Sequence, residues 1–274
     1  MKTYINKLVL VVLVLVMAQA CSVEEFSDLN NPEVDAFSES LTRGDLQDLI
    51  GGILFSSRAG LGTYYDDVAV VGREYYRFSS SDPRFTTDLL GGDASVLDNN
   101  TFYITTPWST RYRTVKNANI ILDILDGQDL SALFTAQEID ATRGYLRTWI
   151  GYELLLNLNL TYEEGIRLDV ADENNLGPFV SRTEALTGIR SILDQGATEL
   201  QNGGDSFPFR LTSGYAGFDT PGTFREVNRG ITARVAAYQE DFAGVLSLLN
   251  DSFMTMDGSA ESLSTGLYLS LIHI

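Results

Sequence analysis

The spacing of apolar residues predicts a mainly helical chain. The clearest stretch covers residues 107–158, which the pattern divides into two long helices joined by a short connection. Five residues at steps of three and four share one face of the first helix, which runs from about Trp108 to Leu125: Trp108, Tyr112, Val115, Asn119 and Leu122. Asn119 is the polar member. Because a buried amide needs hydrogen-bond partners, we expect Asn119 to tie this helix to a neighbouring backbone.

Helix starts are marked by capping residues. Thr135 and Glu138 have the spacing of a capping box, and apolar residues continue from there to Leu158. Ser181 and Glu184 repeat the box before a stripe ending at Leu200, and Thr42 begins another helix with an acidic first turn. Two more helical stretches begin near residues 225 and 242. Helices in pairs with short turns indicate a helical-repeat body, although no strict sequence period is visible.

The segments between these helices are rich in glycine and aromatic residues. The longest, residues 59–106, is predicted to be irregular, and long loops inside compact domains are usually functional or disordered. Aromatic side chains on loops can hold sugar rings, and they can equally pin a loop to the core. On the first interpretation, the candidate ligand contacts are Tyr64, Tyr65, Tyr75 and Tyr76, with Asp66 and Asp67 beside them.

Composition excludes several classes of function. The formal net charge of −18 argues against nucleic-acid binding, which requires a basic surface. One cysteine, Cys21, and one histidine, His273, leave no residues for an internal disulfide, a Cys/His zinc site or a histidine-dependent triad. The acidic loop 161–176 lacks the ligand spacing of an EF-hand. We therefore predict no metal site and no cofactor, and only carboxylate chemistry remains open to an enzyme.

The N-terminus is typical of an exported lipoprotein. Residues 1–20 combine Lys2 and Lys7 with an apolar segment too short to span a bilayer, and Ala18-Gln19-Ala20 precedes Cys21. A cysteine at this position resembles a bacterial lipobox, so Cys21 is the predicted lipidation site. Residues 21–40 form the predicted tether and residues 41–268 the helical domain. Residues 269–274 contain no helix-capping or turn-forming pattern and are predicted to be a non-native tail. In that case the natural protein would continue after residue 268 with a different sequence.

Several segments together resemble the SusD/RagB family of nutrient-binding outer-membrane lipoproteins. Trp108-Ser-Thr-Arg-Tyr112 followed by Lys116-Asn-Ala-Asn-Ile120 is similar to one family helix, and the stretch from Glu138 through Arg147 to Leu155 is similar to the next. Gly177-Pro178 matches a family turn, and Arg229 to Tyr238, which includes Arg234, resembles a further helix. No single motif is specific, but their order is that of the family. The acidic segment 161–175 departs from it.

This resemblance implies a SusD-like α fold of tetratricopeptide-like helix pairs with long loops. In such a fold Trp108, Tyr112, Asn119, Arg147 and Arg234 would be structural. It also implies a lipid anchor in the outer membrane, an outward-facing domain that binds a glycan or other nutrient, and a SusC-like TonB-dependent transporter as partner, with no catalysis. Two alternatives remain: a structural helical-repeat scaffold, and a glycoside hydrolase using adjacent carboxylates such as Asp66 with Asp67 or Glu163 with Glu164.

Overall fold

The structure is a computed structural model that describes residues 40–78, 82–92, 95–172, 174–255 and 265–268. The predicted signal peptide, Cys21, tether residues 21–39 and the tail 269–274 lie outside the described residues. All described residues belong to the unit Ser40–Ile274.

The described part of the chain is mainly α-helical, as predicted. The helices are α1 (Arg43–Arg58), α2 (Leu61–Val71), α3 (Arg84–Thr87), α4 (Phe102–Gly127), α5 (Ala136–Thr161), α6 (Arg182–Asn202), α7 (Pro221–Tyr238) and α8 (Phe242–Asn250). Two short strands, β1 (Ile166–Arg167) and β2 (Phe179–Val180), pair antiparallel, with Ile166 opposite Val180. Short 3₁₀ turns occur at Tyr162–Glu164 and Ser213–Tyr215.

The three helix starts predicted from capping residues are confirmed, whereas α7 begins at Pro221 rather than near residue 225. Thr135 caps α5 by accepting from the Glu138 backbone N–H, while the Glu138 carboxylate accepts from the Thr135 backbone N–H at 2.8 Å. Ser181 with Glu184 and Thr42 with Asp45 form the same reciprocal pair before α6 and α1. Each capping box provides hydrogen-bond acceptors for backbone N–H groups that have no partner within the first helical turn. These helix starts are therefore determined by pairs of residues three positions apart in the sequence.

The prediction for residues 59–106 is wrong in part. This stretch contains α2 and α3, and α4 begins at Phe102 rather than near Trp108. Pro107 lies inside α4. A proline removes one backbone hydrogen bond and normally marks a helix boundary, which is why the sequence pattern placed the start too late. In α4 the ring of Pro107 is buried, so packing compensates for the lost bond.

Helices α4, α5, α6 and α7 pack in sequence order and enclose the main core. Glycines allow α5 and α6 to approach closely: a Cβ built on Gly144 would lie 2.6 Å from the Gly196 carbonyl oxygen and 2.7 Å from the Leu200 nitrogen. Arg147 on α5 pairs with Glu199 on α6 at 2.9 Å across the same contact. The two helices are therefore joined by backbone proximity as well as by apolar side chains.

The buried face of α4 differs from the predicted stripe. Its centre is formed by Arg111, Thr114, Val115 and Ala118, because small and polar residues face the neighbouring helices. Asn119 is only half-buried, and its amide makes no hydrogen bond among the described residues, so the predicted tie to a neighbouring backbone is wrong.

Two other asparagines make such ties. Fully buried Asn228 on α7 donates to Thr148 Oγ1 at 2.8 Å and to the Leu193 carbonyl at 3.1 Å, joining three helices. Asn157 on α5 donates to the Trp108 carbonyl on α4 at 3.4 Å. A buried asparagine that hydrogen-bonds to the backbone of a neighbouring helix was therefore correctly expected, but it is found at Asn157 and Asn228 and not at Asn119.

Trp108 and Tyr112 hold the β1–β2 hairpin against α4. The Tyr112 hydroxyl donates to the Arg167 carbonyl and accepts from the Arg167 backbone N–H, both at 3.0 Å. The Trp108 ring lies nearly parallel to Phe179, with centroids 6.5 Å apart. These contacts give both aromatic residues a structural role in the described domain.

In the described part of the chain, no helix combines the length and apolar composition that crossing a bilayer requires.

Candidate functional site

The loop after α2 carries an exposed aromatic group, here called the aromatic platform, formed by Tyr75, Tyr76 and Phe78. Their exposed fractions are 46%, 52% and 89%. The Tyr76 and Phe78 rings lie 4.7 Å apart between centroids, at an interplanar angle of 55°. Side chains of this size are usually buried, so three exposed ones on one short loop, two of them in contact, form an apolar surface that a ligand can cover.

Asp66 on α2 fixes this loop. Its carboxylate accepts a hydrogen bond from the Tyr75 hydroxyl at 2.5 Å and forms an ion pair with Arg77. The Arg77 guanidinium in turn lies 3.9 Å from the centroid of the Phe85 ring. These contacts hold the loop at Tyr75 and at Arg77, and an ordered surface loses less conformational entropy when it binds a ligand.

The other predicted contact residues are separated from the platform. Tyr64 is buried with Leu61 and Leu156, and its hydroxyl accepts a hydrogen bond from the Asn159 amide at 3.2 Å. Tyr65 is half exposed and packs edge-to-face on Tyr64. The structure thus joins Asp66 to Tyr75, with Tyr76 nearby, but places Tyr64 and Tyr65 elsewhere.

Asp67 is buried, and its carboxyl oxygens have no hydrogen-bond partner among the described residues. Burial raises the pKa of Asp67 to about 8. A carboxyl group in this environment is mainly protonated at neutral pH. Asp66 and Asp67, though adjacent in sequence, therefore differ in environment: one is paired with a cation and the other is enclosed.

The structure also contains a cleft between α2, α5 and α7, here called the α2–α5–α7 cleft, which was not predicted. Its volume is about 490 Å³, which falls in the range of small-molecule sites. It is lined by Leu61 and Tyr65 of α2, Thr148, Trp149, Tyr152 and Leu155 of α5, Phe224, Val227, Gly230, Ile231 and Arg234 of α7, and Phe253, Met254 and Leu267. One wall is aromatic, with Trp149 and Tyr152 edge-to-face at 5.6 Å.

Among the described residues that line this cleft, Arg234 is the only charged one, and its side chain is exposed to solvent. Its Nε donates to the Tyr238 hydroxyl at 2.8 Å, and no Asp or Glu among the described residues forms an ion pair with it. Burial lowers the pKa of Arg234, but the Tyr238 hydrogen bond and the nearby hydroxyls of Tyr64 and Tyr152 raise it to a net value above normal. The guanidinium therefore faces phenol groups rather than carboxylates.

Tyr152 belongs to the same polar cluster. Burial raises the pKa of its hydroxyl, and the neighbouring Tyr65 hydroxyl raises it further. The hydroxyl is consequently protonated at all physiological pH values and can donate a hydrogen bond.

The residue next to Tyr152 takes part in a fully buried ion pair. Arg111 Nη1 lies 2.8 Å from a carboxylate oxygen of Glu153, and both side chains are fully enclosed. Arg111 also donates to the Ser57 carbonyl at 2.8 Å and to the Ala59 carbonyl, at the C-terminal end of α1. Burial raises the pKa of Glu153 to about 8, although Arg111 opposes this shift. The pair joins α1, α4 and α5 behind the cleft.

The carboxylate pair Glu163 and Glu164 lies in the exposed 3₁₀ turn after α5. Among the described residues, no cluster of three or more His, Cys, Asp or Glu side chains has a geometry that holds a metal ion.

The sequence pattern missed the cleft because its lining comes from three helices and the segment after α8. Arg234 was interpreted as a structural residue, and nothing in the local spacing of the lining residues distinguishes a cleft wall from a core. Tyr65 was the one lining residue that was predicted as a ligand contact.

Comparisons of the chain with protein-family models, curated proteins and solved structures found no match.

Proposed function

We propose that the protein is a surface-exposed, lipid-anchored nutrient-binding protein of the SusD/RagB type that binds a glycan or other nutrient on the aromatic platform. It would deliver this ligand to a SusC-like TonB-dependent transporter. Cys21 would carry the lipid, and the helices would form tetratricopeptide-like pairs. The protein would act by binding alone, without catalysis.

The aromatic platform is the observation that carries this proposal. A sugar ring has apolar C–H faces that pack on aromatic rings and hydroxyl groups that need hydrogen-bond partners. Tyr75, Tyr76 and Phe78 offer the rings, while the Tyr76 hydroxyl and the Asp66–Arg77 pair offer polar groups beside them. The order of family-like motifs in the sequence supports the same class of function independently.

The platform is tested by affinity electrophoresis. The purified protein, with Cys21→Ser to prevent lipidation, would be run through native gels containing α-glucan, β-glucan, mannan or pectin. The same samples would be assayed for released reducing ends. We expect retardation in at least one gel and no release. Tyr75→Ala with Tyr76→Ala should weaken the retardation roughly tenfold or more, since aromatic anchors contribute most of the binding energy at such surfaces.

A matched control separates binding from folding. Phe242 is 68% exposed on α8, away from the platform, so Phe242→Ala should leave retardation unchanged. Exposed substitutions typically change stability by only about 0.5 kcal/mol, so both variants should keep the parental melting temperature. Retention of full affinity by the platform variant would contradict this location of the site. Release of reducing ends would replace the proposal with a glycoside hydrolase.

A scaffold function has one observation in its favour. Helix α8 has no buried residue, and Phe242 and Leu246 are 68% and 60% exposed. An apolar helix face of this kind is a surface on which another protein can pack. Absence of retardation in every gel, together with capture of a protein other than a TonB-dependent transporter by the wild type and not by Leu246→Asp, would favour the scaffold.

A further inference from the structure

We propose that the α2–α5–α7 cleft is a second binding site, separate from the aromatic platform, for a small amphipathic carboxylate. The ligand would be a molecule with an apolar chain or ring and a single carboxylate group. This inference does not depend on the glycan proposal, because the cleft and the platform share no residue.

The apolar part of the ligand follows from the lining. Most side chains that face the cleft are aliphatic or aromatic, including Leu155, Val227, Ile231 and Phe224. Removing such surface from water is favourable when an apolar ligand covers it. A glycan would leave most of its hydroxyl groups facing these side chains without hydrogen-bond partners, which is unfavourable. The lining therefore favours a ligand with a large apolar portion.

The carboxylate follows from Arg234. Its Nε is used by the Tyr238 hydroxyl, and its two terminal nitrogens have no acceptor among the described residues. These terminal N–H groups form a planar fork that matches the two oxygens of a carboxylate. None of the described residues that line the cleft is acidic, although the chain has 37 acidic side chains against 19 basic ones. Among the described residues, the strongly negative protein thus presents a solvent-exposed cation in the lining of an apolar cleft, with no acidic side chain paired to it.

One further feature of the lining, the Tyr152 hydroxyl, assists the binding of an anion. The Tyr152 hydroxyl, whose raised pKa keeps it protonated, is close enough to Arg234 to influence its charge. Neutral hydroxyl donors beside a guanidinium stabilise a carboxylate without competing for it. A cationic ligand would instead be repelled by the Arg234 charge.

The test compares an acid with its neutral counterpart. Decanoate and 1-decanol would be titrated into the Cys21→Ser protein by calorimetry and by fluorescence, using Trp108→Phe so that emission comes from Trp149 in the cleft wall. We expect decanoate to bind roughly tenfold or more tightly than decanol, because a hydrogen bond to a charged group is stronger than one to a neutral group. Arg234→Met should remove this preference while retaining the apolar stem.

Arg113 provides the matched control. It is exposed on α4 and lies outside the cleft, so Arg113→Met makes the same charge change and should leave the preference intact. A second variant, Ile231→Glu, places a carboxylate in the lining and should weaken decanoate binding more than decanol binding. Circular dichroism would confirm folding of each variant.

The proposal is overturned by three results. These are equal binding of decanoate and decanol, an unchanged preference in Arg234→Met, and an absence of decanoate binding. The retardation of the same protein preparations in glycan-containing gels tests the aromatic platform separately in each case. A protein that binds a glycan but not decanoate would contradict the cleft site alone, and one that binds decanoate but not a glycan would contradict the platform alone.

Discussion

Replacing Arg111 with methionine should remove three interactions at once. The guanidinium joins the Glu153 carboxyl group to the Ser57 and Ala59 carbonyls in a fully buried position. Methionine fills part of the space but leaves the carboxyl group and two carbonyl oxygens without their partner. Breaking a buried pair from one side typically costs about 3–5 kcal/mol, which for a domain of this size lowers the melting temperature by roughly 6–20 °C.

Glu153→Gln should be milder. A glutamine carbonyl still accepts a hydrogen bond from Arg111, and Arg111 keeps both backbone acceptors, so we expect a loss of about 1–2 kcal/mol near pH 5. The Arg111→Met, Glu153→Met double variant should cost less than the sum of the corresponding single changes, because it leaves no charged group unpaired. Thermal and urea denaturation followed by far-UV circular dichroism measures each of these free energies.

The pH dependence supplies an independent check. The folded-state pKa of Glu153, about 8, exceeds the ordinary value of 4.5, so the folded protein binds this proton more tightly than the unfolded chain does. The corresponding stability is fully present below pH 4.5 and is lost as the pH rises through 8. Glu153→Gln removes this titration, so its deficit relative to wild type should shrink between pH 5 and pH 8. Equal losses in Arg111→Met and Glu153→Gln, or a deficit that does not vary with pH, would refute this reasoning.

Two further predictions concern the helices. Gly144→Ala should destabilise the protein by about 1–3 kcal/mol, because the added methyl group would collide with the α6 backbone. Gly52→Ala in α1 should instead stabilise the protein by up to about 1 kcal/mol, because a Cβ at this position meets no atom within 4 Å. Urea denaturation would show the difference, and equal effects at both glycines would contradict the close approach. Thr135→Ala should cost about 1 kcal/mol by removing the α5 cap. An unchanged urea midpoint for this variant would mean that the cap does not stabilise α5.

Local sequence signals placed most helices correctly. The starts of α1, α5 and α6 depend on side chains that bond to the backbone three residues away, and such bonds form within one helical turn. The stripe on α6 was also correct, because it repeats with the helical period along the side that packs against α5 and α7. Where these signals were interrupted, as at Pro107, the prediction failed.

What the sequence by itself determined, then, was the helical class and the helix starts that carry a capping pair, because these depend on neighbouring residues. Only the tertiary structure decided which polar side chains became buried and which aromatic residues stayed exposed. Arg111 lies in the core because Glu153 and the end of α1, both distant in sequence, supply its partners. Arg234 lines a cleft because α2 and α5 pack beside α7. Such positions depend on contacts between distant segments, which a local pattern does not contain.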